Sequence, residues 1–223
     1  MTTLYLLRHG ETTINDPDAR DPGELIYAAA PDMPLTARGR LQAQRASERL
    51  SGRPLAAVYA STYRRAVETA EAIAAPHGLT VRLEAALIER DFGEWDGLSA
   101  NQIAERHPLG IAAFDCADDF APPGGETILQ VRDRALPVIV RIASECACRS
   151  ADGGELAVVA HQGVTRVLLC EWVGLAPHRF RGILQHNACI NTIRVEFDSA
   201  PSPGLWRVQC VNETCHLAGL VPV

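Results

Sequence analysis

Two short apolar runs in this chain each stop at a histidine. Residues 3–8, T-L-Y-L-L-R, lead into His9-Gly10, and residues 155–160, E-L-A-V-V-A, lead into His161. A neutral imidazole is a nucleophile and a protonated one is a cation, so a pair of them at one site suits transfer of a charged group. Cations stand beside these positions. Arg8 precedes His9, and Arg65 lies in S-T-Y-R-R-A, just after a third apolar run, A-A-V-Y-A-S at 56–61. A guanidinium presents a planar fork of donors that matches phosphate oxygens, and it keeps its charge. Together the two imidazoles and two guanidiniums point to chemistry on a phosphoryl group. The ordinary role of a lone histidine at a strand end is structural, and that of a lone arginine is to dress a helix surface. Arg64 fits the surface role better than Arg65, although spacing alone does not separate them.

Apolar runs of this length, bounded by polar segments, read as strands buried on both faces. In an open parallel sheet the ligand crevice lies at the C-terminal ends of the strands, which would bring His9 and His161 to one site. Helices are expected between the strands. Thr36 can cap one in which Ala37, Leu41, Ala43, Ala46 and Leu50 recur at helical spacing until Gly52. A second carries Ala66, Ala70, Ile73 and Ala74 on one face and ends at Pro76 and Gly78. Residues 80–84 alternate like a strand. A polar helix is expected at 99–107, then an irregular stretch to Pro122-Pro123-Gly124-Gly125. A long helix from Thr127 to about Cys146 carries Pro137, where a kink is expected, and another helix spans 164–173. Residues 13–34 read as a loop, and 189–197 with 205–211 as a hairpin at the sheet edge. The fold class is therefore α/β, three-layered, with a mostly parallel sheet and helices on both faces.

The 223 residues fit one domain, 1–223, with a lid-like insertion at about 99–125. A net charge of −6 argues against a general nucleic-acid or anionic-membrane binder. All 21 basic residues other than histidine are arginine, which excludes Schiff-base lysine chemistry and a P-loop lysine. Seven cysteines without paired spacing read as free thiols in a reducing cytoplasm, and a lone C-x-C at 146–148 is a weak metal signal. No metal and no cofactor are assigned. The N-terminus lacks the basic region and cleavage site of a signal peptide, so a cytoplasmic location is expected.

The run L-L-R-H-G-E-T resembles the signature of the histidine phosphatase (phosphoglycerate mutase-like) superfamily. Further matches follow in order: P-L-T-A-R-G-R-L-Q-A at 34–43, S-T-Y-R-R-A-V-E-T-A at 61–70, E-R-D-F-G-E-W-D-G at 89–97, P-G-G-E-T at 123–127, V-V-A-H-Q-G-V-T-R at 158–166 and N-A-C-I-N at 187–191. The resemblance implies that His9 is the nucleophile and becomes phosphohistidine. It also implies that Arg8, Asn15, Arg65 and His161 hold the phosphoryl oxygens and that Glu89 is the proton donor. Gln162 stands where the family usually has Gly, so its backbone N–H is carried over as a phosphate donor in a tighter pocket. Asp91, Glu94 and Asp96 are better read as solvated loop carboxylates. These roles are chemically coherent. A neutral imidazole needs no base to attack phosphorus, one carboxyl can serve both half-reactions, and the arginines with a protonated His161 would take the place of Mg²⁺.

The resemblance implies a phosphomonoester hydrolase of histidine acid phosphatase type, acting on a small phosphorylated metabolite; a homo-oligomer stays open. One alternative is a cofactor-dependent phosphoglycerate mutase, and a more remote one is a non-catalytic regulatory relative. D-F-G-E-W-D-G-L-S after E-R looks like the phosphatase branch. Between Gly97 and Thr127 the only basic side chains are Arg106 and His107, against Glu105, Asp115, Asp118 and Asp119. That balance is expected to repel a second anionic group on the substrate unless other segments compensate. Ile111, Phe114 and Phe120 are candidates to cover an apolar or sugar-like group, or to pack the lid.

Overall fold

A computed structural model describes residues 1–16, 26–148, 154–199 and 202–220. The strands are β1 (Thr2–Arg8), β2 (Leu55–Ala60), β3 (Val81–Leu83), β4 (Glu155–Ala160), β5 (Ile190–Ser199) and β6 (Ser202–Glu213). The helices are α1 (Ala37–Leu50), α2 (Arg64–Ala74), α3 (Ala100–Arg106), α4 (Pro108–Cys116), α5 (Ile128–Cys148) and α6 (Gln162–Val173). One sheet runs β3-β2-β4-β1-β5-β6. The pairs β3/β2, β2/β4 and β4/β1 are parallel, while β1/β5 and β5/β6 are antiparallel, so only β5 runs against the others. The expected mostly parallel sheet and its edge hairpin are both present.

Alternation along the central strands builds the three layers. Leu4 and Leu6 of β1 and Leu156 and Val158 of β4 pack with α5 and α6. Tyr5 and Leu7, with Ala157 and Val159, pack with α1 and α2. Each Leu or Val among them contributes roughly 1.5–3 kcal/mol by leaving water, which is why the strands are apolar on both faces. β1 and β4 are neighbours, yet the chain leaves β1 toward α1 on one face and β4 into α6 on the other. This divergence opens a crevice at their C-terminal ends.

The segment expected to be irregular after residue 107 contains α4. Pro108 occupies its first turn, where a missing N–H costs nothing and a fixed φ favours helix. Pro108 thus starts a helix where irregular chain was expected. α3 and α4 enclose a small core of their own, with Tyr27, Trp95, Ile103 and Phe114 buried and Phe92, Ile111 and Phe120 packed around them. α5 continues through Pro137. Residues 17–25 of the loop expected at 13–34 lie outside the described residues, whereas Thr13–Asn15 form a short 3₁₀ turn. Among the described residues no helix is long and apolar enough to cross a membrane.

Candidate active site

His9 follows the last residue of β1, and its loop is locked from below by close backbone packing. Gly10 donates to Thr69 Oγ1 at 3.0 Å, and a Cβ on Gly10 would come within 2.5 Å of the Gly39 carbonyl oxygen. A Cβ on Gly39 would lie 2.1 Å from the Glu11 carbonyl oxygen. Thr36 accepts from Gly39 N at 2.9 Å and so caps α1 directly beneath the histidine loop. The other side of the loop is held by the 185–191 segment. Ala188 N–H and Asn187 Nδ2 both donate to the His9 carbonyl, at 3.1 and 3.2 Å. The segments R-H-G-E-T, T-A-R-G-R, R-R-A-V-E-T and N-A-C-I-N thus interlock around one residue.

The two nitrogens of His9 have different partners. Nδ1 lies 2.7 Å from the Gly10 carbonyl oxygen, an acceptor, which fixes the proton on Nδ1. Nε2 then presents its lone pair, into which Arg65 Nε donates at 3.2 Å. The ring is buried. Burial first, then the nearby charges of Arg65 and Arg8, hold its pKa well below the usual histidine value, so His9 is neutral in the ligand-free site.

Arg8 and Arg65 are both buried. Arg8 donates to the Gln185 carbonyl at 2.7 Å, and burial lowers its pKa to about 10. Gln185 is in turn tied to Asn191, which donates to the Leu6 carbonyl. Arg65 also donates to the Ala30 carbonyl at 2.7 Å and lies 5.0 Å from the Tyr63 ring centroid. Arg64, by contrast, is half exposed and paired with Glu68 and Asp32.

His161 follows β4 and caps α6. Its ring lies 5.1 Å from that of His9, and its Nε2 is 2.8 Å from Ser61 Oγ. Its Nδ1 is buried with no hydrogen-bond partner among the described residues. The sequence reading gave His161 a positive charge. In the ligand-free protein burial, followed by Arg65, lowers its pKa well below the usual value and leaves it neutral.

Glu89 is buried in the same cavity, with Oε1 accepting from Arg90 N at 2.9 Å and from Gly163 N, in the first turn of α6, at 3.1 Å. Arg134 holds the Glu89 carbonyl at 3.1 Å while pairing with Glu126 at 2.8 Å. Gly163 leaves room for this contact, because a Cβ on it would come within 2.6 Å of Glu89 Oε1. Asp91 and Asp96 serve backbone groups instead, accepting from Gly93 N and Ala29 N.

The cavity has a volume of about 420 Å³ and is lined by Arg8, His9, Asn15, Arg65, Glu89 and Gln162, with His161 directly behind His9. Asn15 Oδ1 is engaged by Thr12 N at 2.7 Å, and Gln162 reaches the Gln185 carbonyl at 3.4 Å. The structure also brings in residues to which the sequence reading gave no role: Arg90, Arg166, Arg181, Tyr27 and Phe92. The expectation of repulsion by the 97–127 segment left room for compensation from elsewhere, and Arg90, Arg166 and Arg181 bring such cations to the cavity. Within residues 99–125 Glu105, Arg106 and Asp119 are exposed, Asp118 pairs with His178 at 3.3 Å, and among the described residues the arginines facing the cavity come from outside this segment. Phe114 lines the cavity, whereas Ile111 and Phe120 pack around Trp95.

The chain is 33% identical over 218 residues to the phosphoglycerate mutase-like protein 4 of Arabidopsis thaliana, covering 96% of this chain and 86% of that one. It is 32% identical over 174 residues to the glucosyl-3-phosphoglycerate phosphatase of Mycolicibacterium vanbaalenii, covering 77% and 74%. The native structure of a mycobacterial glucosyl-3-phosphoglycerate phosphatase superposes with a TM-score of 0.82 at 28% identity, covering 94% of this chain and 98% of that one. The family model of the histidine phosphatase superfamily (branch 1) matches residues 4–212, and the chain belongs to that family.

Proposed function

We propose that the protein is a phosphatase that hydrolyses small phosphorylated metabolites through a phosphohistidine on His9. The observation that carries this reading is the division of labour on the His9 ring: Nδ1–H is tied to Gly10, and the Nε2 lone pair faces the Arg65 guanidinium with Arg8 and His161 around it. A phosphoryl group entering the cavity draws Arg65 Nε away from Nε2 onto its own oxygen. Nε2 then attacks phosphorus, and the bond to the leaving oxygen breaks as Glu89 delivers a proton to it. In the second half-reaction the Glu89 carboxylate takes a proton from water, the water oxygen attacks phosphorus, and His9 leaves as the neutral imidazole. Arg8, Arg65, Asn15 and the N–H of Gln162 hold the equatorial oxygens, and the unpartnered His161 Nδ1 is open to one of them.

Relatives that include glucosyl-3-phosphoglycerate phosphatases and a phosphoserine phosphatase of Hydrogenobacter thermophilus support a small-metabolite substrate over a nucleic acid. The acid-phosphatase type belongs to the same proposal. A His9 with a depressed pKa stays unprotonated, and so nucleophilic, at pH values where an ordinary histidine has lost its lone pair. Residues 99–125 act as a lid on one domain, and the buried free cysteines Cys170 and Cys189 fit a reducing cytoplasm.

Release of phosphate from a panel of phosphomonoesters, measured in the presence of a strong chelator, tests this function. The expected result is turnover undiminished by chelation, because the guanidiniums supply the positive charge. A loss restored by Mg²⁺ contradicts that, and isomerisation of 3-phosphoglycerate outrunning phosphate release contradicts hydrolysis as the main activity.

A further inference from the structure

Three neighbouring strands end side by side, and each is followed by a side chain that can hold a proton. In the sheet order β2-β4-β1 these are Ser61, His161 and His9. Ser61 N donates to the Val159 carbonyl and His9 N to the Ala160 carbonyl, both at 3.0 Å, so the backbone pairing of the sheet continues past the strand ends. The proposed reaction uses His9 and His161. It gives Ser61 no role, although this hydroxyl belongs to a fully buried residue and lies 2.8 Å from His161 Nε2.

The direction of that hydrogen bond follows from counting donors and acceptors. A serine hydroxyl has one hydrogen and two lone pairs. Ser61 Oγ accepts from Tyr63 N at 3.3 Å, and among the described residues its hydrogen has one acceptor, His161 Nε2. If Nε2 carried the proton and donated to Ser61, the hydroxyl hydrogen would be buried without an acceptor and the Nδ1 lone pair without a donor. With the hydroxyl donating into Nε2, Ser61 is satisfied on both sides and only the Nδ1–H is left over. Unmade hydrogen bonds in the interior are costly, so the arrangement with one such group is preferred to that with two. A cation at His161 is disfavoured for the same reason, because an Nε2–H would turn the Ser61 hydrogen away from its acceptor. Burial, then Arg65, hold the His161 pKa low in the same sense.

We propose that Ser61 is a positioning residue that fixes His161 as its Nδ1–H tautomer, so that His161 meets a phosphoryl oxygen as a neutral hydrogen-bond donor and not as a cation. The acceptor that Nδ1–H lacks in the protein arrives with the ligand, beside the His9 ring 5.1 Å away. A donor oriented in advance costs no reorganisation during the reaction. At His9 the Gly10 carbonyl puts the proton on the same nitrogen by accepting from it. The two buried imidazoles then act in opposite senses: His9 offers the Nε2 lone pair to phosphorus, and His161 offers the Nδ1 hydrogen to oxygen. The identity of the ligand rests on the hydrolase reading, whereas the tautomer is a property of the resting protein.

Long-range proton–nitrogen NMR of protein with isotope-labelled histidine reads the protonation of each ring nitrogen, and His161→Asn assigns the His161 signals by their loss. In the ligand-free wild-type protein near neutral pH, His161 is expected to show a protonated Nδ1 and an unprotonated Nε2. Saturating inorganic phosphate is expected to move the Nδ1–H signal downfield while Nε2 stays unprotonated. Ser61→Ala is expected to bring the Nε2–H form into the spectrum and to weaken phosphate binding by about tenfold. Ser61→Cys, which keeps a weak donor on a side chain of similar shape, is expected to restore part of both. An Nε2–H tautomer or an imidazolium at His161 in the wild-type protein overturns the proposal, as does a Ser61→Ala spectrum identical to wild type. An Nδ1–H signal that phosphate leaves unmoved overturns the donation to oxygen. If the tautomer and its response to phosphate are as expected but no phosphomonoester is split, the proposal stands and the hydrolase reading alone falls.

Discussion

At the scale of single residues, the roles proposed for His9 and Glu89 rest on what each is tied to. The Gly10 carbonyl fixes the His9 proton on Nδ1, and the start of α6 fixes the Glu89 carboxyl in the same cavity. A general acid matters only when the leaving group needs a proton, and such catalysis contributes about 10²–10⁴-fold. Glu89→Gln is therefore expected to slow phosphorylation by an alkyl phosphate about 10²-fold or more, with a loss of less than about tenfold for an aryl phosphate, whose phenolate leaves unaided. Single-turnover kinetics with both substrates check this, and equal losses would contradict the assignment. Part of the site's placement was legible in the sequence, because His9, His161 and Arg8 stand at the ends of apolar runs and Arg65 lies shortly after one. Glu89 was not legible from its surroundings, since a Glu in a polar loop is usually solvated; only the resemblance singled it out. Asn191, which braces β1, carried no signal beyond its motif, and Gln185, whose carbonyl holds Arg8, carried none, because their importance lies in hydrogen bonds between distant segments.

At the scale of elements, the site depends on close approach between pieces of backbone. Gly163 lets α6 begin against Glu89, and the nearest atom to a Cβ there is the end of a flexible side chain, not backbone. Gly163→Ala is accordingly expected to keep the fold, with melting temperature unchanged or raised, since Ala favours helix over Gly by up to about 1 kcal/mol. Displacing the Glu89 carboxyl should nevertheless depress alkyl-phosphate turnover in the same sense as Glu89→Gln. Thermal denaturation and steady-state rates on one preparation check both parts, and full alkyl-phosphate activity would show that the contact is unimportant. The strands and most helices were legible because burial on both faces of a sheet, or on one face of a helix, imposes a periodic pattern. α4 was not. Its Pro108 and Gly110 look like breakers until the proline is seen in the first turn, where it suits a helix.

At the scale of the whole molecule, charge is what the linear sequence conveyed least. A net charge of −6 and an acidic segment at 99–125 coexist with a cavity lined, among the described residues, by five arginines, because those side chains arrive from β1, α2, α6 and two loops far apart in sequence. The same burial makes stability depend on pH. An unfolded histidine takes up a proton near pH 6.5, whereas His9 and His161 resist it in the fold. Below that value the unfolded chain binds more protons, so stability is complete above it and falls as pH drops, by up to about 1.4 kcal/mol per pH unit for each histidine. Urea midpoints at pH 7.5 and 5.5 should show this loss, and a joint replacement of both histidines by Asn should flatten it. A wild-type midpoint that does not move would contradict neutral burial of the pair.

The account as a whole turns on a covalent bond between His9 and phosphorus. Brief mixing with a radiolabelled phosphomonoester, denaturation without acid and peptide mapping measure that bond directly. The expected result is acid-labile, alkali-stable label on the peptide containing His9, with both label and turnover lost in His9→Ala. Full hydrolytic activity in His9→Ala, or label carried by another residue, would contradict it.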